Sequence, residues 1–263
     1  MRGVFKFPVT AAIVVGAGAM VATLSLSHPA AAHDPGHMDI EGVWMAFAVE
    51  PSARLGGLTA KLSDAGKAAV QAFLDDVGED APEAGWYCVG TGMPYVMTSL
   101  ASYPITIAQS PGFTLMVSEN ENQIRRIYTD GRDFPEDYPE TRAGYSIGHW
   151  DGDTFVIETQ NFKDWPLGGA PRSEEMTITE RITMSSKDKV SAKPTGFVAA
   201  IPAKDDRVLV DHMTVVDSKY YTEPLEVTVY FQPITDNNTL EYDCTVDLWQ
   251  QAVDAHKAEQ GKE

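Results

Sequence analysis

The fold is decided by residues 144–159, which read Gly144-Tyr145-Ser146-Ile147-Gly148-His149-Trp150-Asp151-Gly152-Asp153-Thr154-Phe155-Val156-Ile157-Glu158-Thr159. An Asp-Gly pair between two alternating segments is the strongest local signal for a β-hairpin with a two-residue loop. With Asp151 and Gly152 as the loop, Gly148 lies opposite Phe155, whose ring can then cover a residue that has no side chain.

The hairpin also divides its side chains between two faces. Because side chains alternate across a sheet, one face is predicted to carry Tyr145, Ile147, His149, Thr154, Val156 and Glu158. This face combines an imidazole, a phenol and a carboxylate with aliphatic side chains, so it is the first candidate for a functional site.

Further segments on both sides of the hairpin alternate with the same period of two. They lie at residues 42–47, around Ile105 and Ile107, and at 113–117, 123–129, 176–184, 207–216, 225–232 and 240–247. So many short strands, separated by turn residues, favour an antiparallel β-barrel or sandwich. A helix is predicted where Ser63 caps a segment with apolar residues at 70, 73, 74 and 77, and a short helix is expected in the tail. Residues 185–206 are expected to form a surface loop.

The segment 123–129 carries an arginine and an isoleucine on each side. Ile124, Arg126 and Tyr128 share one side, and Arg125 shares the other with Ile127. A buried arginine costs several kcal/mol unless it is paired, so this strand either buries an arginine with a carboxylate or borders a wet cavity. The candidate carboxylates are Asp130, Glu158 and Glu180.

The first 32 residues predict export. Arg2 and Lys6 precede an uncharged apolar stretch that ends at Pro29-Ala30-Ala31-Ala32, the pattern of a cleaved signal peptide. A retained single-pass anchor is the alternative, because the apolar stretch is nearly long enough to span a membrane. We therefore expect a signal peptide over residues 1–32, a single barrel domain over 33–248 and a C-terminal tail over 249–263. The mature protein is expected in the periplasm or outside the cell, with no stable membrane anchor once the signal peptide is cleaved.

The charge balance excludes one class of partner. The chain has 20 basic and 38 acidic residues, and cleavage would make it still more acidic. Nucleic acid is therefore not expected as a partner, since phosphate binding relies on clustered Lys and Arg.

Two cysteines, Cys88 and Cys244, are present. In an oxidising compartment an even pair most simply forms one disulfide. A catalytic thiol is the alternative, but the sequence identifies no basic neighbour for it.

The motifs resemble a widespread family of exported bacterial proteins. That family pairs an R-R-I-Y-x-D-G-R strand, here Arg125 to Arg132, with a G-x-S-x-G-x-W-x-G-D-T hairpin, here Gly144 to Thr154. The resemblance implies a lipocalin-like barrel, which the Gly42-Val43-Trp44 start of the first strand also suggests, and it implies no particular activity. This chain departs from the family at His149, where arginine is common, and in an insertion after Met184.

The polar residues suggest a cavity that binds a small amphipathic or anionic molecule. Arginine recognises anions, aromatic rings stack, and a histidine beside a carboxylate can move protons. The expected ligand-binding residues are Arg126, Arg132, Tyr145, Trp150 and His212. If the protein is instead an isomerase, lyase or hydrolase, the expected catalytic residues are His149, Glu158 and Tyr128. The structural alternative is that arginine and glutamate form an internal ion-pair network, that His149 faces solvent, and that the domain is structural or binds a partner.

Other chemistries have weak support. Cleavage after Ala32 would make His33 the N-terminus, where its amine and imidazole together with His37 could bind copper. The simpler interpretation is that both histidines are solvated. The Gly144-Tyr145-Ser146-Ile147-Gly148 motif is followed by a hairpin instead of the helix that a serine hydrolase needs. No metal and no cofactor is predicted.

Overall fold

The computed structural model describes residues 36–50, 61–77, 90–98, 103–167, 170–194 and 196–235, with residues 251, 254, 255, 257 and 258. Three predictions lie outside these residues: the signal peptide, the strand at 240–247 and the Cys88–Cys244 disulfide. Within the described chain, no helix has both the length and the apolar character to cross a membrane.

The described residues contain eleven strands. They are β1 (Gly42–Glu50), β2 (Pro104–Ser110), β3 (Phe113–Ser118), β4 (Gln123–Tyr128), β5 (Tyr145–Asp151), β6 (Thr154–Gln160), β7 (Trp165–Leu167), β8 (Ala170–Arg172), β9 (Thr177–Ser186), β10 (Arg207–Val216) and β11 (Leu225–Pro233). Strands β7 and β8 form a separate two-stranded sheet.

The other nine strands close into one barrel in the order β1-β11-β10-β9-β6-β5-β4-β3-β2, and β2 pairs back with β1. Neighbours are antiparallel except β4 and β5, which are parallel because residues 129–144 carry the chain back along the barrel. The predicted fold class is confirmed: the protein is mainly β, with a closed lipocalin-like barrel.

The predicted N-terminal helix is also present. Helix α1 (Asp64–Val77) begins after Ser63, whose hydroxyl accepts a hydrogen bond from the Gly66 N–H at 3.1 Å. That bond satisfies one of the backbone donors left free at a helix start. A second helix, α2 (Tyr95–Thr98), was not predicted. The described residues of the C-terminal segment are helical, as expected.

The loop of the β5–β6 hairpin differs from the predicted one. It consists of Gly152 and Asp153, and Asp151 pairs with Thr154. Only Gly152 has a positive φ, +59°. This is the pattern of a type II′ turn, which places glycine first, whereas the predicted type I′ turn would place it second.

The two faces of the hairpin nevertheless keep their predicted members. Gly148 pairs with Ile157 instead of Phe155, a shift of two positions, which leaves the alternation unchanged. The Phe155 ring still covers Gly148, because a Cβ there would lie 3.0 Å from the ring and 2.8 Å from Ile127 Cγ2.

We therefore expect Gly148→Ala to destabilise the fold by about 1 to 3 kcal/mol, the usual cost of overpacking a core. Urea unfolding measures this loss. Ala108→Val adds methyl groups at an exposed position of β2 and should change the free energy of unfolding by less than about 0.5 kcal/mol. Equal effects of the two substitutions would contradict the close packing at Gly148.

Trp44 lies near the end of the barrel at which β1 begins. The side chain is fully buried, and its indole N–H donates to the Ile40 carbonyl at 3.0 Å. The Arg207 guanidinium lies 5.4 Å from the centre of the Trp44 ring. These contacts hold the indole at this end of the barrel.

The surface loop was predicted over residues 185–206, but β9 continues to Ser186, so the prediction was wrong for the first two residues. The described residues after Ser186 also cover part of the barrel's outside. Ala192 and Val198 pack with Phe47, Val208 and Ile234 in a buried apolar cluster apart from the barrel core. This segment therefore shields apolar side chains that β1 and β10 turn outward.

Candidate functional site

The predicted catalytic residues lie on the outer face of the barrel. His149 and Glu158 are exposed, whereas Phe155 and Ile157, on the other face of the hairpin, are fully buried. The structure therefore does not enclose the imidazole and the carboxylate, and the structural alternative, with His149 facing solvent, describes their placement. Their chemistry stays a prediction.

Three of the predicted residues do come together, also on the outside. The rings of Tyr128 and Tyr145 stack at 5.1 Å, and the Arg132 guanidinium lies 3.8 Å from the centre of the Tyr128 ring. Arg132 Nη1 also donates to Tyr145 Oη at 3.3 Å, and its Nε donates to Asp130 at 2.8 Å. Tyr138 packs edge-on against Tyr145 at 4.4 Å. These contacts fasten the loop between β4 and β5 to the barrel wall.

The remaining predicted ligand-binding residues lie in separate places. Arg126 is exposed, 5.2 Å from the centre of the Phe113 ring. Trp150 points to the opposite face from His149 and stacks on His37 at 5.0 Å. His212 is exposed on β10, with Nε2 3.1 Å from a Glu226 oxygen. The structure therefore does not gather the predicted ligand-binding set into one cavity.

The buried arginine of β4 is Arg125. It is 5% exposed and forms an ion pair with Glu180, which is fully buried; Nη1 donates to Oε1 at 2.8 Å and Nη2 donates to Oε2. Nε donates to Ser146 Oγ at 3.1 Å and Nη2 to Thr159 Oγ1 at 2.8 Å. Of the two possibilities that the sequence left open, the structure has the buried, paired arginine, and Glu180 was one of the three predicted partners.

Asp211 lies beside this ion pair and was not singled out in the sequence. It is fully buried, and neither carboxyl oxygen receives a hydrogen bond from a donor of the described residues. Burial raises the pKa of Asp211 well above its usual range, the charge of Glu180 raises it further, and Arg125 opposes the shift. Two ionised carboxylates offer no donor to each other, so we take Asp211 as the protonated partner that donates to Glu180.

A pocket opens at the end of the barrel next to Arg125. Its polar lining residues are Ser118, Gln123 and Arg125, and its apolar lining residues include Met93, Met97, Met116 and Ile124. The enclosed part has a volume of about 20 Å³, which is enough for one ordered water molecule. We call this feature the methionine pocket.

Comparison with known proteins assigns no family. A scan against protein-family models finds no match, and no curated protein matches the chain. The functional conclusions below therefore rest on the residues and their geometry.

Proposed function

We propose that the protein is an exported binding protein whose barrel holds a small amphipathic molecule in the methionine pocket. The observation that carries the proposal is the juxtaposition of three methionines with the polar groups of Ser118, Gln123 and Arg125 at one barrel end. The signal-peptide pattern of the first 32 residues supports export.

The apolar wall suits a ligand with a hydrocarbon part. Methionine has three rotatable bonds and a polarisable sulfur, so its side chain adapts to different apolar shapes. Since the enclosed part of the pocket has room for only about one water molecule, a larger guest requires Met93, Met97 or Met116 to change rotamer. Ile124 also lines this pocket and is 65% exposed, so a substitution there changes the surface next to the pocket.

The polar wall suits an acceptor group on the ligand. The Ser118 hydroxyl accepts a hydrogen bond from the Asn120 N–H at 3.2 Å and retains its own O–H for donation. The positive charge of Arg125 is shared with Glu180, so its attraction for an anion is reduced. A ligand whose carboxylate or carbonyl oxygen meets Ser118, while its carbon chain meets the methionines, satisfies both walls.

Replacement of Ile124 tests the proposal. We expect Ile124→Asp to weaken binding of anilinonaphthalene sulfonate, a fluorescent amphipathic anion, at least about fivefold, because it adds a negative charge next to the pocket that repels the sulfonate. A fluorescence titration of the folded protein measures the dissociation constant.

Val216→Asp is the matched control, because Val216 is 41% exposed on β10 and is not among the lining residues. Equal weakening by both substitutions, or no saturable binding by the unmodified protein, would remove the support for a pocket ligand. The structural or partner-binding alternative would then be the better account, and the small enclosed volume already agrees with it.

A further inference from the structure

A second buried arginine, Arg172 of β8, forms no ion pair with a carboxylate of the described residues. It is 3% exposed; Nη1 donates to the backbone carbonyls of Thr91, at 3.2 Å, and Met93, and Nε donates to that of Lys163 at 3.3 Å. Nη2 is buried and has no acceptor within the described part of the chain. Among the residues that the structure describes, only neutral backbone oxygens hold the guanidinium, and its Nη2 edge has no acceptor.

The contrast with Arg125 makes this arrangement unusual. Arg125 is equally buried but shares its charge with Glu180, and an unpaired buried charge is strongly unfavourable. Asp164 is the carboxylate that most influences Arg172, but it already accepts bonds from Tyr220 Oη at 3.0 Å and Lys219 Nζ at 3.1 Å. Burial, with the charge of Arg142 second, lowers the pKa of Arg172 to about 10, so the side chain still carries its charge at neutral pH.

A second buried hydrogen-bond donor lies on the neighbouring strand. Trp165 of β7 pairs directly with Arg172 of β8, so the two side chains share one side of the sheet with their Cβ atoms about 5 Å apart. The indole Nε1 of Trp165 is buried and also lacks an acceptor among the described residues. Arg142 adds positive charge, since its guanidinium lies 5.5 Å from the centre of the Trp165 ring. Arg172 and Arg142 therefore contribute two positive charges to one part of a chain whose net charge is −18. Arg172 and Trp165 contribute two buried donors that have no acceptor among the described residues.

We propose that Arg172, Trp165 and Arg142 form a binding site for one small oxyanion, either an inorganic ion or the carboxylate of an organic molecule. The anion would accept hydrogen bonds from Arg172 Nη2 and Trp165 Nε1 and would neutralise the buried guanidinium. A hydrogen bond from the N–H of an ionised donor to an anionic oxygen is among the stronger hydrogen bonds in proteins. This site does not depend on a ligand in the methionine pocket, and either proposal can fail alone.

Thermal unfolding of the full chain in titrations with sodium sulfate, sodium phosphate, sodium acetate and sodium octanoate tests the site, with sodium chloride at matched ionic strength as the reference. We expect a saturable rise in Tm above the chloride reference with at least one of these anions. A response to sulfate or phosphate indicates an inorganic ion, and a response confined to acetate or octanoate indicates an organic carboxylate.

Three variants decide whether the response belongs to this site. Arg172→Met should weaken anion binding at least about tenfold and should fold without anion, because it removes a charge that lacks a counterion. Trp165→Phe keeps an aromatic ring but removes the indole donor, so about threefold to fivefold weaker binding is expected. Arg181→Met, which removes an exposed arginine paired with Asp151, should leave binding within about twofold of the unmodified protein. A Tm that follows the chloride reference for every anion, or an unchanged response in both Arg172→Met and Trp165→Phe, would overturn the proposal.

Discussion

Substitution of Arg125 by methionine will destabilise the fold by about 3 to 5 kcal/mol at neutral pH, the usual effect of removing one member of a buried ion pair. The substitution leaves Glu180 fully buried without its two hydrogen bonds from the guanidinium, and Ser146 and Thr159 lose their donor as well. Methionine fills much of the arginine volume, so the loss reflects the unpaired charge more than a cavity.

Urea unfolding at neutral pH measures this loss. The matched substitution is Arg181→Met on β9: Arg181 and Asp151 form an ion pair, but their side chains are 48% and 66% exposed. Exposed pairs contribute between zero and about 1 kcal/mol, so similar losses for the two variants would show that the Arg125–Glu180 pair is not buried as described.

Substitution of Asp211 by asparagine will flatten the pH dependence of stability. Burial holds the pKa of Asp211 well above its usual range, so the folded state keeps a proton that the unfolded state loses above about pH 4. The stabilisation linked to that proton is complete below about pH 4 and is lost as the pH rises towards the folded-state pKa. One such proton gives a slope of up to about 1.4 kcal/mol per pH unit.

Asparagine is neutral in both states and can donate to Glu180 in place of the protonated carboxyl. The Asp211→Asn variant should therefore be more stable than the unmodified protein at about pH 8, and the advantage should disappear near pH 4. Asp205→Asn is the control, because Arg207 lowers the pKa of Asp205 and that carboxyl is ionised in both states above about pH 5. A profile for Asp211→Asn parallel to that of the unmodified protein would show that Asp211 does not hold the extra proton.

Much of the barrel could be predicted because its strands alternate and are separated by turn residues. The predicted segment 207–216 coincides with β10, and the predicted strand at 123–129 ends one residue beyond β4. Strands β7 and β8 could not be predicted, because each has three residues with a proline in the middle, Pro166 and Pro171, and proline argues against a strand interior.

The site was harder to predict, because alternation tells which side chains share a face but not which face is inside. Each face of β4 carries one arginine and one isoleucine, so hydrophobicity did not show which face is buried. In the closed barrel, the face with Arg125 points inward. The sequence did contain a pattern that indicates the buried Asp211. It lies between Leu209 and Met213 on an apolar face, where an isolated carboxylate indicates a buried and protonated group.

The crystal structure of a complex with anilinonaphthalene sulfonate tests the central claim most directly. We expect electron density for the ring system against Met93, Met97 and Met116, with changed methionine rotamers, and the sulfonate towards Ser118 and Gln123. Density only on the outer face, for instance against the cluster of Tyr128 and Tyr145, would contradict a binding site at the barrel end.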